Sequence, residues 1–345
     1  MYTELSIAAQ TAYAELFDQR QSLDVQNLAS LNGSFHQRTV KGASYWYFGY
    51  RDLNGKSKAT YVGPDSDRVR KIIESASLAK RSEAVIEKQA KAALALGCQS
   101  LAAKHFKIID RFAKCGLFKS GGVLIGTHAF LTMGNILGVK WRGGSATLDV
   151  DFAHAGKNIS IALPGDFQFD VKSAIESLEM GLTPIASLDG GYGAQYRNPA
   201  DPELRIDFVT CEHRDPGYVR LPNTSFVLEP LKFMEFSLEE VTQGIALSKN
   251  GHSCMVNVPA PARFAIHKLI VFGERSQAQR VKSQKDLLQA ASLISCLIDQ
   301  GHLEELNRAW NDACSRGKGW TKRVVEGKVA LIKRFPELDQ KQALE

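Results

Sequence analysis

Residues 120–153 read SGGVLIGTHAFLTMGNILGVKWRGGSATLDVDFA, and the last eight carry two aspartates, Asp149 and Asp151, one residue apart in an apolar run. Aspartate disfavours strands and is rarely buried without a partner. Side chains alternate along a strand, so both carboxylates face one way, roughly 7 Å apart at Cα. The spacing alone decides little: Asp65-Ser-Asp67 shares it and reads as a helix-capping loop after Pro64. The flanks decide more. VLIG (123–126) is a short apolar strand and THAFLTMGNILG (127–138) has helical spacing, which puts Gly126-Thr127 at a strand-to-helix junction. A glycine there permits close backbone approach, the helix N-terminus offers N–H groups to a phosphate, and the Thr127 hydroxyl adds a donor. Downstream, LRIDFVT (204–210) is a second strand with Asp207 between apolar neighbours.

If the Asp207 strand lies beside the Asp149–Asp151 strand, three carboxylates converge. Clustered carboxylates raise one another's pKa unless a cation joins them. Hard divalent cations with oxygen ligands remove that penalty, and Mg2+ is the usual choice when phosphates complete the shell. Two such ions about 4 Å apart clamp the attacking and leaving oxygens of a phosphoryl displacement.

Outward from this centre, the chain of 345 residues is 44% hydrophobic and 23% charged, an ordinary globular balance that predicts two or three domains. Residues 3–19 have helical spacing. KGASYWYFGYRDLNGKSKATYVGP (41–64) reads as a β-hairpin turning at Asn54-Gly55, with Trp46, Phe48 and Tyr50 on one face and Tyr45 and Tyr47 on the other. Residues 66–115 read as helical with a break at Gly97. Further strands are expected at ISIAL (159–163) and QYR (195–197), a helix at 171–180, and a return to helices from Pro261. The expected fold is therefore α+β: a small mixed sheet flanked by an N-terminal hairpin with helices and by a C-terminal helical region. The expected divisions are 1–119, 120–250 and 251–345.

The charge of +6 divides unevenly along these segments: +7 over 1–119, −6 over 120–250 and +5 over 251–345. An acidic centre between basic flanks suits a cation site whose surroundings attract a polyanion. No apolar run approaches the roughly 18 residues of a membrane-spanning helix, and the first 20 residues lack the pattern of a secretory signal, so no membrane partner is expected. Six scattered cysteines read as reduced thiols of a cytoplasmic protein. Nothing in the pattern sets an oligomeric state.

The order of these features resembles the DNA polymerase beta-like nucleotidyltransferase superfamily, whose signature is a hydrophobic-Gly-Gly/Ser turn, D-x-D on a strand and a third acid on a neighbouring strand. Within it, GGVLIGTHAFLTMGNILGVKW…TLDVDFA is similar to a group of bacterial nucleotidyltransferases and, more distantly, to abortive-infection toxin nucleotidyltransferases. The core resemblance covers about residues 120–210, with weaker support to about 296. Thr127 replaces the usual Gly or Ser, and the interval from Gly126 to Asp149 is longer than usual. The resemblance implies that Asp149 and Asp151 hold two Mg2+ ions, with Mn2+ as a substitute. Asp207 would bind the catalytic ion and help deprotonate the attacking hydroxyl. Gly126 and Thr127 would hold the triphosphate, and Lys268, Arg142 and Lys285 would neutralise phosphate charge. The implied reaction moves a nucleoside monophosphate from an NTP, such as ATP, to an acceptor hydroxyl and releases pyrophosphate.

The basic flanks rank RNA, including tRNA, first as acceptor. A small-molecule or protein acceptor is the alternative, and a non-catalytic nucleotide- or nucleic-acid-binding module is a third. With aromatics on both faces, the hairpin reads first as a structural one that fills a groove or forms a dimer contact; Arg51, Lys56 and Lys58 make a nucleic-acid surface the alternative. A dinucleotide site fails because the glycines of GGVLIG precede the strand. Zinc at Cys211/His213 and His252/Cys254 fails on spacing. His128 reads as a packed or capping residue.

Overall fold

The computed structural model describes residues 1–26, 33–40, 42–51, 57–145, 147, 149–155, 170–186, 192–212, 217–220, 225–275 and 280–341. The chain begins with a short strand β1 (Tyr2–Glu4) and helix α1 (Ile7–Gln26), then three strands β2 (Gly33–Val40), β3 (Ala43–Arg51) and β4 (Ser57–Pro64). These form an antiparallel sheet in the order β2-β3-β4, so the expected hairpin is two-thirds of a three-stranded sheet. Its Asn54-Gly55 turn lies outside the described residues. Helix α2 (Asp67–Ala95) follows and ends before Gly97, whose φ of +115° is open to glycine at little cost. Helix α3 (Ala103–Lys114) then buries His105, Ile108, Ile109 and Phe112, the i, i+3, i+4, i+7 stripe of an amphipathic helix.

The central module runs β5 (Gly122–Leu124), α4 (Gly126–Ile136), β6 (Val139–Trp141), β7 (Asp149–His154), α5 (Val171–Glu176), β8 (Thr183–Ala186), β9 (Tyr192–Asn198), β10 (Asp201–Cys211), β11 (Val219–Arg220) and β12 (Val227–Leu231). The expected strand at 159–163 lies outside the described residues. The expected helix at 171–180 stops at Glu176, with Asp170 capping its start through Lys172 N–H at 3.0 Å. The main sheet has the order β11-β12-β10-β7-β5, with β9 added at β10 and β8 at β9. Strands β10 and β7 are parallel, whereas β5 is antiparallel to β7, so the sheet is mixed. The short strand β6 pairs instead with β1, which ties the N-terminus to the module.

Helix α6 (Met234–Leu238) leads into the hairpin β13 (Val241–Leu247) and β14 (Ser253–Pro259), whose turn contains residues 250 and 251. Helices α7 (Pro261–Glu274), α8 (Arg280–Asp299), α9 (Leu303–Ser315) and α10 (Lys318–Arg334) close the chain, with a 3-10 turn at Pro336–Lys341. Pro261 occupies the first turn of α7, where its missing N–H costs nothing. The fold is thus a mixed α and β architecture with a C-terminal helical region, as expected.

One apolar core joins α3, the inner face of the main sheet, α4 and the C-terminal helices. Its centre is aromatic. Phe152 of β7 stacks on Phe208 of β10 at 5.6 Å, and Phe112 of α3 approaches them at 5.1 and 5.3 Å. A second core packs α1 and α2 on Ile245, Leu247 and Met255 of the β13–β14 hairpin. Arg20 of α1 seals that junction, donating to Ser253 O at 2.6 Å and pairing with Glu83 of α2. All six cysteines are unbridged.

Candidate functional site

The acids are set by strand register. Asp207 of β10 lies directly opposite Asp151 of β7, and Arg205 lies opposite Asp149. Their neighbours Phe152 and Phe208 project to the other face, into the aromatic core. The packing that orders the sheet therefore presents Asp149, Asp151 and Asp207 together on the opposite face. Further along that face, Val123, Ile125, Ala153, Val209 and Met234 form a small apolar cluster, which keeps one end of the acidic row dry.

Burial, reinforced by the charges of Asp207 and Asp149, pushes the Asp151 carboxyl up to about 6, although Lys268 and Lys285 oppose the shift. Asp207 is also raised by burial, against the opposing pull of Arg205, whose Nε donates to Asp207 Oδ1 at 2.7 Å. Arg205 was not foreseen from the sequence, although it stands two residues before Asp207 and so shares its face. Among the described residues no group of three His, Cys, Asp or Glu side chains is arranged to hold an ion. The Arg205 guanidinium holds Asp207 instead.

Gly126 sits against this cluster. Its φ is +65°, and a Cβ at that position would lie 2.3 Å from Asp151 Oδ2. Only glycine satisfies both the backbone conformation and the contact. The backbone reinforces the approach, since Ile125 N–H donates to Asp151 O at 3.0 Å. Helix α4 begins there, and the N–H groups of its first turn have no partners within the helix. Residues 127–135 of α4 are all buried, so the turn is held rigidly.

Thr127 is 3% exposed, and its Oγ1 accepts from Gln289 Nε2 of α8 at 3.4 Å. The hydroxyl is thus turned inward, and only the backbone of this residue faces the junction. Gln289 also donates to Gly144 O at 2.8 Å, which pins the loop after β6 to α8. His128 is packed, as expected: its Nε2 meets His105 Nδ1 at 3.0 Å, and burial lowers its pKa to about 3.

The three predicted cations divide. Lys268 of α7 pairs with Asp286 at 2.8 Å and is electrostatically felt by Asp151. Lys285 of α8 is half-buried, and its pKa is lowered by burial and by Lys268, against the pull of Asp286, Asp151 and Asp149. Asp286 is 1% exposed and also pairs with Arg275 at 2.8 Å, so α7 and α8 are joined by a buried Lys268–Asp286–Arg275 triad behind the lysines. Arg142, in contrast, is exposed, with its Nε 3.5 Å from Thr3 Oγ1 and its N–H bonded to Met1 O. These contacts join it to the N-terminal strand, not to the acids. Cys211 and Cys254 are buried thiols, and His213 lies outside the described residues.

The mixed sheet thus presents three acids on adjacent strands beside a glycine-led helix N-terminus, with Lys268 and Lys285 on α7 and α8. A family model described as nucleotidyltransferase matches residues 103–315, from the first residue of α3 to the last of α9, which is more than half of the chain. The chain belongs to this nucleotidyltransferase family. Among solved structures, it is similar to the crystal structure of an antigenic nucleotidyltransferase-like protein from Paracoccidioides brasiliensis, at 11% identity and a TM-score of 0.38. That likeness covers 71% of this chain and 96% of the other. No curated protein matches the chain. No helix among the described residues is long and apolar enough to cross a membrane.

Proposed function

We propose that the protein transfers a nucleoside monophosphate from an NTP to an acceptor hydroxyl, with RNA the acceptor class and pyrophosphate the leaving group. The observation that carries the reading is the register of β7 and β10, which sets Asp151 opposite Asp207 with Asp149 two residues away. An all-oxygen donor set fits a hard divalent ion, and the raised Asp151 and Asp207 pKa values mark a negative cluster that such an ion would relieve. Asp149, Asp151 and Asp207 would hold Mg2+, or Mn2+ in its place, once Asp207 turns from Arg205. Bound there, two ions would supply charge neutralisation at the transferring phosphoryl group.

The chain's own groups do the remaining work. The N–H groups at the start of α4 bind triphosphate oxygens, and the glycine at 126 keeps Asp151 within reach of them. Lys268 and Lys285 offset the charge that gathers on departing pyrophosphate. The acceptor oxygen attacks the α-phosphorus, the bond to the bridging β-oxygen breaks, and the acceptor proton passes to Asp207. The basic segments on either side of the acidic centre favour a polyanionic acceptor over a small molecule. Bacterial origin, and a toxin activity directed at cellular RNA or tRNA, are the finer reading that the sequence resemblance supports.

The test is incubation with each α-labelled NTP, Mg2+ or Mn2+, and total cellular extract, followed by digestion of the products. Label destroyed by ribonuclease and resistant to proteinase supports RNA as acceptor. Label destroyed by proteinase alone overturns that choice in favour of a protein acceptor.

A further inference from the structure

The N-terminal three-stranded sheet has two faces of different chemistry. Its back face is fastened to the start of α2: Trp46 Nε1 donates to Asp65 at 3.0 Å, Gln37 to the same carboxylate at 3.3 Å, and Arg70 closes the cluster at 2.8 and 2.9 Å. Asp65 is therefore a tie between sheet and helix, not a cap.

The register pairs His36 with Tyr47, Arg38 with Tyr45, and Tyr47 with Tyr61, so these five side chains share the front face. Tyr61 stands between Tyr45 and Tyr47, with ring centroids 6.1 and 5.6 Å away, and His36 stacks beside Tyr47 at 6.0 Å. The Arg38 guanidinium lies 5.2 Å over the Tyr47 ring. Gly49 leaves room for this row, because a Cβ there would press on the His36 ring at 3.2 Å. Arg38 is exposed and Tyr61 is 52% exposed. Among the described side chains of this face, the others are Ser34, Ala43, Gly49, Ala59 and Pro64, all small and uncharged.

We propose that this front face binds single-stranded RNA, with bases on the rings of Tyr45, Tyr61, Tyr47 and His36 and phosphate at Arg38. Successive rings about 6 Å apart offer separate platforms, wider than the ~3.4 Å between stacked bases of one strand in a duplex. Stacking of this kind needs unpaired bases and is indifferent to sequence. The positive balance of residues 1–119 complements a phosphate backbone, and a row of tyrosine and histidine rings beside an arginine offers planes to bases and charge to phosphate. The proposal deepens the acceptor reading above and rests on it for its role in the reaction, while binding itself is measured without NTP or metal.

The experiment is fluorescence anisotropy of a labelled 12-nucleotide oligouridine with the full-length protein at several salt concentrations. Tyr61→Leu and Tyr47→Leu each weaken binding about tenfold, whereas Tyr61→Phe stays within about twofold, because a phenyl ring still stacks. Arg38→Gln flattens the slope of log affinity against log salt by about 0.7. Unlabelled duplex of the same length competes poorly. Unchanged affinity in Tyr61→Leu, equal binding of duplex, or no binding by the wild type overturns the surface. Failure of the acceptor reading looks different. Wild type that binds the oligonucleotide through these residues but labels only protein leaves the surface standing and removes RNA as acceptor. RNA labelling with unchanged affinity in the tyrosine variants removes the surface alone.

Discussion

Replacing Asp151 with Asn stabilises the metal-free protein at neutral and alkaline pH, by an amount the structure sets. The Asp151 carboxyl is raised by burial and by Asp207 and Asp149 to about 6, from an ordinary value of 3.8. Between those values the folded state holds a proton that the unfolded state has released. Raising the pH through this window therefore strips stability from the wild type, and the loss is complete above about pH 6. An amide at 151 does not titrate. The stability advantage of Asp151→Asn thus grows by about 2 kcal/mol between pH 4.5 and pH 8. For a chain of 345 residues unfolding as a unit, at about 2.1 cal/mol/K per residue, that corresponds to about 3 °C in Tm. The assay is thermal unfolding of both proteins in EDTA across that range, read as the difference between them so that other titrations cancel. Added Mg2+ narrows the gap at pH 8 by stabilising only the wild type. A variant no more stable than wild type at pH 8, or an advantage independent of pH, refutes the reasoning about this carboxylate.

Other substitutions test other parts of the account. Gly126→Ala forces a Cβ to 2.3 Å from Asp151 Oδ2 at a φ of +65°; it lowers stability by about 1–2 kcal/mol in denaturant melts and reduces transfer more than tenfold. Asp286→Asn leaves Lys268 and Arg275 without their buried counter-ion and costs about 3 kcal/mol by the same melts, with a loss of activity as Lys268 drifts. Arg205→Gln frees Asp207, so Ca2+ raises the Tm of this variant more than that of wild type, while its metal-free stability falls by about 1 kcal/mol. An equal Ca2+ shift in both proteins contradicts the idea that the guanidinium and the cation compete for Asp207.

Much of the centre was legible because its signals are local. The strand-to-helix junction at Gly126, the same-face spacing of Asp149 and Asp151, and the helical stripe of α3 each follow from residues close in sequence. What pairs with what was not legible in the same way. Strand β10 joins β7 in parallel across a separation of more than 50 residues, so the opposition of Asp207 to Asp151 was a conditional expectation until the register supplied it. Arg205 had a usable sign, its i−2 spacing from Asp207, but a single arginine in a strand has many ordinary uses. Strand β2 (GSFHQRTV) is too polar to announce itself and exists as the partner of β3. The hairpin β13–β14 did leave a sign, apolar alternation around Asn250-Gly251, which the helical pattern after Pro261 obscured. The inward turn of Thr127 depends on Gln289 of a helix 162 residues away, beyond the reach of any spacing rule.

Label transfer decides whether the three aspartates on adjacent strands carry nucleotidyl transfer. Wild type and the Asp149→Asn, Asp151→Asn and Asp207→Asn variants are incubated with α-labelled and γ-labelled NTP, Mg2+ and acceptor. Wild type attaches α-label only, none of the γ-label stays with the acceptor, and each asparagine variant loses about a hundredfold or more in rate. Undiminished transfer by Asp151→Asn, or transfer of the γ-label, would contradict nucleotidyl transfer by these aspartates.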